Sequence, residues 1–278
     1  MLVDKMRYLN KELRTRMVSQ IRLTALAYLA ATASMAAEQG GMIRHLFILK
    51  PAMALNQYDD WYSKVHSQEC LRYFGPWLRR YDMYWGKPAG DTGNHNVYPN
   101  GRYLELWYDS VEAWREASPL THPYSAPPGG SMNNPEHPTA SVIVPANPTE
   151  NLLGKEPPPQ QGPYFRWVVA LKYPKGVDPE AADKWYREVH MQQAKNLPGL
   201  VRYVSYKALE HSPAPSEWKR ITELWYKDYD AWRNATFNPP FKYMPPAWAQ
   251  PNQAWFDTVS IFVTNEPDVD FLSGRRKQ

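Results

Sequence analysis

Short apolar stretches and amphipathic segments follow one another along the chain in an order that occurs twice. Residues 43–50 form an apolar run suited to a buried strand, and 57–74 carries aromatic and aliphatic residues at helical spacing. Residues 78–85 and 102–107 alternate or run apolar like two paired strands, with Asn100-Gly101 punctuating the loop between them. A short helix at 111–117 and a strand at 141–144 complete the series. The same succession returns as 165–173, 179–196, 200–207, 221–225, 229–235 and 257–263. The predicted order is β-α-β-β-α-β, twice, the split unit of ferredoxin-like folds.

The letters repeat as well as the pattern. WYSKVH at 61–66 returns as WYREVH at 185–190, Arg80-Tyr81 and Tyr84 return as Arg202-Tyr203 and Tyr206, and ELWYDSVEAWREAS at 105–118 returns as ELWYKDYDAWRNAT at 223–236. The offsets of 124, 122 and 118 residues keep the order and change only loop lengths. An antiparallel sheet with helices on one face leaves the other face bare, so two fused copies are expected to cover each other. The expected fold class is therefore α+β, a tandem ferredoxin-like repeat closing into an α/β barrel within one chain. Its expected divisions are an N-terminal segment 1–40, a first repeat 41–118 with its closing strand near 141–147, a Pro-rich linker or lid 119–163, a second repeat 164–265 and a tail 266–278.

Composition adds two facts. The chain has 27 prolines, which need long irregular segments, and 12 Trp, 19 Tyr and 8 Phe, enough for ring-lined pockets. Proline concentrates with Gly, Asn and Ser in 119–163, and with aromatic residues in 237–251. The net charge of +4 is confined to 1–37, where Lys5, Arg7, Lys11, Arg14, Arg16 and Arg22 face Asp4 and Glu12. A neutral body without a basic stripe argues against nucleic acid as a partner. Residues 17–37 read either as a signal peptide, which would make the protein periplasmic or otherwise exported, or as part of an amphipathic helix, which would leave it cytoplasmic. Nothing else approaches a membrane span, so no stable membrane insertion is expected. The single cysteine, Cys70, excludes an internal disulfide and a multi-cysteine metal site, and no ligand spacing for a metal is evident.

Residues 165–206, a strand leading into GVDPEAADKWYREVHMQQAKNLPGLVRYVSY, resemble the EthD-type branch of the dimeric α/β-barrel superfamily, whose pattern joins a Trp-x-x-x-x-His helix to Pro-Gly-Leu and Arg-Tyr. The first copy keeps Trp61 and His66 and has GPWLRRY where the second has the Pro-Gly-Leu turn. A narrower resemblance, to bacterial chalcone isomerases, rests on KVH at 64–66, GVD before the Trp-bearing helix, ELWY, and WAQPNQAWFDTVSIFVTNEP at 248–267. It implies proton transfer without a cofactor, with His66 as the proton shuttle; His190 holds the matching place in the second copy, where that family need not keep a histidine.

Histidine ordinarily titrates near neutrality, as a group that must accept and return a proton requires. Simple helical geometry separates Trp61 from His66 and puts Tyr62 on the face of His66, with the imidazole at the rim of the barrel cavity. The bland alternative makes both histidines helix-terminal residues bonded to a backbone carbonyl. Alternation places Arg80, Asp82 and Tyr84 on one face of their strand, where Asp82 could orient an imidazole and Tyr84 could donate to a developing oxyanion, or where Arg80 and Asp82 could simply pair. The catalytic candidates are His66, His190, Asp82 and Tyr84. The substrate-binding candidates are Tyr62, Glu105, Trp107, Tyr124 and Trp225, with Glu105 and Glu223 alternatively paired as structural carboxylates. The expected activity is isomerase or lyase chemistry on a phenolic compound such as a chalcone, flavanone or lignin-derived dimer. A cofactor-free oxygenase and a non-catalytic aromatic-binding protein are the alternatives, and a homo-oligomer is possible.

Overall fold

The computed structural model describes residues 41–93, 95–210, 217–238, 242–250 and 254–273. The expected signal peptide or amphipathic helix of the N-terminal segment lies outside them. In the first repeat, strand β1 (Ile43–Leu49) leads into helix α1, which runs through Leu55–Trp61, a π-helical turn at Tyr62–His66 and Ser67–Phe74. Strands β2 (Leu78–Trp85) and β3 (Arg102–Tyr108), helix α2 (Val111–Ala117) and strand β4 (Ala140–Pro145) follow. After the short strand β5 (Glu150–Asn151), the second repeat supplies β6 (Phe165–Lys172) and helix α3, built from Pro179–Trp185, a π-helical turn at Tyr186–His190 and Met191–Ala194. It ends with β7 (Leu200–Lys207), β8 (Arg220–Tyr226), helix α4 (Tyr229–Phe237) and β9 (Asp257–Thr264), and a last strand, β10, is Val269–Asp270.

Local chemistry explains the boundaries. Asp178 caps α3 by accepting from the backbone of Glu180 and Ala181, with Pro179 filling the first helical position. Ser110 and Asp228 cap α2 and α4 in the same manner, each accepting from the backbone N–H three residues on. Gly199 turns the chain into β7 at φ 74°, a conformation that a side chain disfavours.

The strands form two five-stranded antiparallel sheets, ordered β10-β2-β3-β1-β4 and β5-β7-β8-β6-β9. The short outer strands are exchanged. β5, from the linker, pairs with β7 of the second repeat, while β10, from the tail, pairs with β2 of the first. Segments expected to be a tether and a tail thus lock each repeat to the other. At the seams Leu209 N–H donates to Ile143 O at 2.9 Å and Lys87 N–H to Phe262 O at 2.7 Å.

Three apolar clusters follow from the period-2 alternation. The space between the sheets is filled from both repeats, by Leu46, Ile48, Val142 and Val144 against Val168, Ala170, Val259 and Ile261. Each sheet's other face is covered by its own helices, giving a cluster around Tyr58, Trp61, Tyr81 and Tyr108 in the first repeat and one around Tyr186, Tyr203, Tyr226 and Trp232 in the second. Trp232 alone, fully buried, takes ~200 Å² out of water, a gross gain of about 5 kcal/mol.

Between the sheets lies a fourfold ion-pair ring with the pseudo-symmetry of the repeat. Arg44 approaches Glu105 at 3.4 Å and Glu223 at 3.5 Å, and Arg166 approaches the same carboxylates at 3.1 and 3.5 Å. Trp107 and Trp225 donate from Nε1 to Glu105 and Glu223 at 3.3 and 3.2 Å, and the two guanidinium groups lie over Tyr206 and Tyr84. Burial alone would raise the Glu105 carboxyl, but Arg166 and Arg44 outweigh it and hold it below its ordinary range.

Candidate functional site

The duplicated Trp-Tyr-x-x-Val-His motif forms a π-helical turn in both repeats. Ser67 N–H reaches back to Tyr62 O, and Met191 N–H to Tyr186 O, five residues in each case. This widened turn overturns the expectation that Trp61 and His66 stand apart. Residues i and i+5 come into register, and the two rings stack with centroids 5.1 Å apart and planes 23° apart. Such turns occur often at functional sites because they aim side chains that a regular helix would splay.

His66 therefore sits under α1, between helix and sheet. Trp61 stacks on it, Tyr62 meets it edge-on at 4.9 Å, and Tyr124, from the loop after α2, lies 5.0 Å away. Phe271, delivered by the exchanged strand β10, packs on Tyr62 and Tyr81. The hydroxyls of Tyr62 and Tyr81 are 2.7 Å apart. His66 Nε2 lies 3.6 Å from Cys70 Sγ, while Nδ1 is buried without a hydrogen-bond partner, so neither ring nitrogen is tied to the main chain. Burial lowers the imidazole pKa to about 4, Glu69 offsetting part of the effect, so the ring is neutral at physiological pH. The Cys70 thiol, also buried, is pushed up to about 12 and stays protonated.

Three more buried polar atoms in this cluster lack partners, Tyr58 Oη, Trp61 Nε1 and Tyr108 Oη. Leaving such atoms unpaired costs about 1–3 kcal/mol each. His45 is an instructive contrast on the same side of the sheet. Its Nδ1 accepts from Trp114 Nε1 at 3.1 Å and its Nε2 lies 3.0 Å from Ser141 Oγ. Burial lowers its pKa to about 3, but both nitrogens are engaged, as in a structural histidine.

Tyr124 belongs to a cover over the imidazole. Its hydroxyl donates to Pro119 O at 2.6 Å, and the following residue, Ser125, donates from its backbone and side chain to the Glu69 carboxylate on α1 at 3.0 and 2.5 Å. These bonds hold the Glu69 carboxyl below its ordinary pKa.

The remaining candidates fall elsewhere. Asp82 and Tyr84 point between the sheets, while Tyr81 and Met83 of the same strand face α1, so Asp82 and Tyr84 lie across the sheet from His66 and do not orient its ring. Asp82 pairs with Arg80 at 2.8 Å, and burial, opposed by Arg80, raises its pKa to about 6. Glu105, Trp107 and Trp225 belong to the inter-sheet ring rather than to the walls of the His66 enclosure. The barrel interior is thus occupied by side chains, and the ring-lined enclosure lies outside it, beneath the helix. A cleft of about 820 Å³ in the second repeat, lined by residues including Tyr173, Asp178, Lys184, Arg187 and Trp218, contains none of the candidates. Trp61, Tyr81, Tyr108 and Phe271 were not anticipated. The repeated motifs contain Trp61, Tyr81 and Tyr108, whereas nothing local to 269–271 announces an exchanged strand.

His190 holds the matching place in the second repeat. Tyr186 and Tyr243 stack on it at 5.2 and 4.5 Å, Trp185 and Phe256 close its edges, and its Nδ1 is also buried and unpartnered. Burial lowers its pKa to about 4. Among the described residues no group of three or more His, Cys, Asp or Glu comes together, and no helix is long and apolar enough to cross a membrane.

Residues 174–245 match the family model of the EthD domain, a span that includes His190. No curated protein matches the chain. Similar solved structures include an anthrone oxidase-like protein (12% identity, 80% of this chain and 90% of that one, TM-score 0.46). A mutant chlorite dismutase from Candidatus Nitrospira defluvii, in complex with cyanide, gives 10% identity, 83% and 92% coverage and a TM-score of 0.43. A monooxygenase-like protein from Lactobacillus acidophilus gives 10% identity, 81% and 97% coverage and a TM-score of 0.37. None of these extends the resemblance to chalcone isomerases.

Proposed function

We propose that the chain is an enzyme that transfers a proton on a phenolic substrate, with the His66 imidazole as base. The observation that carries this reading is the unpartnered Nδ1 of a buried, neutral ring inside an aromatic enclosure. In the tautomer whose Nε2–H points at Cys70 Sγ, Nδ1 presents its lone pair to the ligand. A pKa of about 4 makes an isolated imidazole a weak base. Burial penalises the lone imidazolium, however, and a phenolate or enolate formed beside it would offset that penalty. In this reading Trp61 Nε1–H and Tyr108 Oη–H, buried in the same cluster without partners, would donate to the developing oxygen anion, and the rings of Trp61 and Tyr124 would contact a flat substrate.

The same proton removal serves two outcomes. A phenolate can add to a conjugated carbonyl system and close a ring, as in conversion of a chalcone to a flavanone. Alternatively, removal of a hydroxymethyl O–H proton from a lignin-type dimer expels formaldehyde as the C–C bond breaks, with the released electron pair taken up by a conjugated carbonyl or quinone-methide system of the substrate and the proton returned to it. The test is anaerobic incubation of the purified protein, without added metal or nucleotide, with chalcones, flavanones and lignin dimers in D₂O. Mass spectrometry should show deuterium at carbon or formaldehyde release in the wild type, and neither in a folded His66→Ala variant. Turnover that requires O₂ would instead favour a cofactor-free oxygenase.

A further inference from the structure

The second repeat retains the turn, the covering tyrosine and three of the polar groups around His66. Trp185, Tyr186 and His190 repeat Trp61, Tyr62 and His66 on an identical π-helical turn, and Tyr226 repeats Tyr108. The same three polar atoms are buried and unpartnered in both: Trp185 Nε1, His190 Nδ1 and Tyr226 Oη against Trp61 Nε1, His66 Nδ1 and Tyr108 Oη. The cover is duplicated too. Tyr243 lies on His190 as Tyr124 lies on His66, and the next backbone N–H, of Met244, donates at 2.9 Å to Gln193 Oε1. Gln193 occupies the position of Glu69, 124 residues on.

Elsewhere the repeats have diverged. Cys70 is replaced by Ala194, and Leu104 by Thr222, whose hydroxyl lies 3.0 Å from that of Tyr186. A phenylalanine at 185 or 226, or a leucine at 190, would have removed each unpaired polar atom. From this we infer that the second repeat holds a separate ligand site, so that one chain binds two flat phenolic molecules. The inference rests on the reading of the His66 enclosure as a phenol site. Because Tyr186 and Tyr243 sandwich the His190 ring, the ligand meets it in the imidazole plane, through Nδ1. Trp248 and Trp255 pack edge-on against Trp185 at 5.4 and 5.7 Å and extend the aromatic wall of this site.

The test is calorimetric titration of the intact protein with 4-hydroxychalcone, with imidazole ¹⁵N NMR to assign each binding event. Two molecules should bind per chain, and each should perturb one of the signals of His66 and His190. Trp185→Phe keeps the ring and removes one donor. It should weaken the event seen at His190 by about five- to tenfold, while Trp61→Phe does the same at His66. A stoichiometry of one confined to His66, or a second event insensitive to Trp185→Phe, overturns the inference even if turnover at His66 is established. Two assigned events without any turnover would leave the second site standing and remove the catalytic reading.

Discussion

His66 and His190 are one position in a duplicated unit, yet their surroundings differ in ways that separate what the fold needs from what the site needs. The π-turn, the unpaired Trp, His and Tyr atoms and the covering tyrosine are common to both. The ring contacts are not. His66 stacks on Trp61 alone, with Tyr124 tilted at 58°, whereas His190 is sandwiched between two nearly parallel tyrosines. Tyr124, tilted against His66, leaves that ring less tightly clamped than one held between two parallel tyrosines, and in the proposed reaction the proton passes through Nδ1 in the ring plane. One covered on both faces is better suited to holding a ligand by its edge. The comparison teaches that duplication preserved the chemistry-bearing atoms while the packing around them drifted.

The largest expected effect breaks the comparison outright. His66→Ala should lower turnover by about 10²–10⁴ with the fold retained, the range of a lost general base. Steady-state kinetics on His66→Ala and His190→Ala would show this, and equal losses would make the two repeats catalytic equals. Next comes the inter-sheet ring, which belongs to both repeats at once. Glu105→Leu leaves two buried guanidinium groups sharing one carboxylate, and should cost about 3–5 kcal/mol in chemical denaturation. Because both sheets lose the same support, a single unfolding transition is expected rather than one repeat melting first.

Protonation sharpens the comparison at smaller scale. Both imidazoles have folded pKa values near 4, below the ordinary 6.5, so the unfolded chain binds the proton first as pH falls. Their stabilising effect is complete above pH 6.5, falls away between 6.5 and about 4, and levels off below that. Replacing either ring with Phe should flatten its share of this acid sensitivity in thermal melts from about pH 7 to about pH 4. The smallest effect concerns the covers. Glu69→Gln weakens the charge-assisted bond to Ser125 and makes the first repeat like the second. It should raise the ligand association rate at His66 a few-fold and leave that at His190 unchanged, as read by stopped-flow fluorescence.

Much of this architecture was legible in the sequence. The boundaries of β2, α2 and β7 match their apolar patterns, and the duplication itself predicted two sheets that cover each other. Position within that frame was harder to read. Spacing of 3.6 residues per turn separates Trp61 from His66, and only the five-residue bonding of a π-turn reunites them. Alternation correctly divided Asp82 and Tyr84 from Tyr81, but not which set faces the helix, because both sides of the sheet are buried. The exchanged strands β5 and β10 are two residues long and carry no periodic signal at all. The paired covers had left a trace, a tyrosine shortly before prolines at 124 and 243, one residue off the 118-residue offset of the preceding motif, hidden within two Pro-rich loops.

The account depends on a neutral imidazole at position 66 whose free nitrogen meets the ligand. Imidazole ¹⁵N NMR of the ligand-free protein from about pH 3 to about pH 8, repeated with a bound phenol, measures this most directly. The predicted result is a His66 ring that stays neutral down to about pH 4 and whose Nδ1 resonance shifts when the phenol binds. A ring that titrates near 6.5 and ignores the phenol would contradict the account.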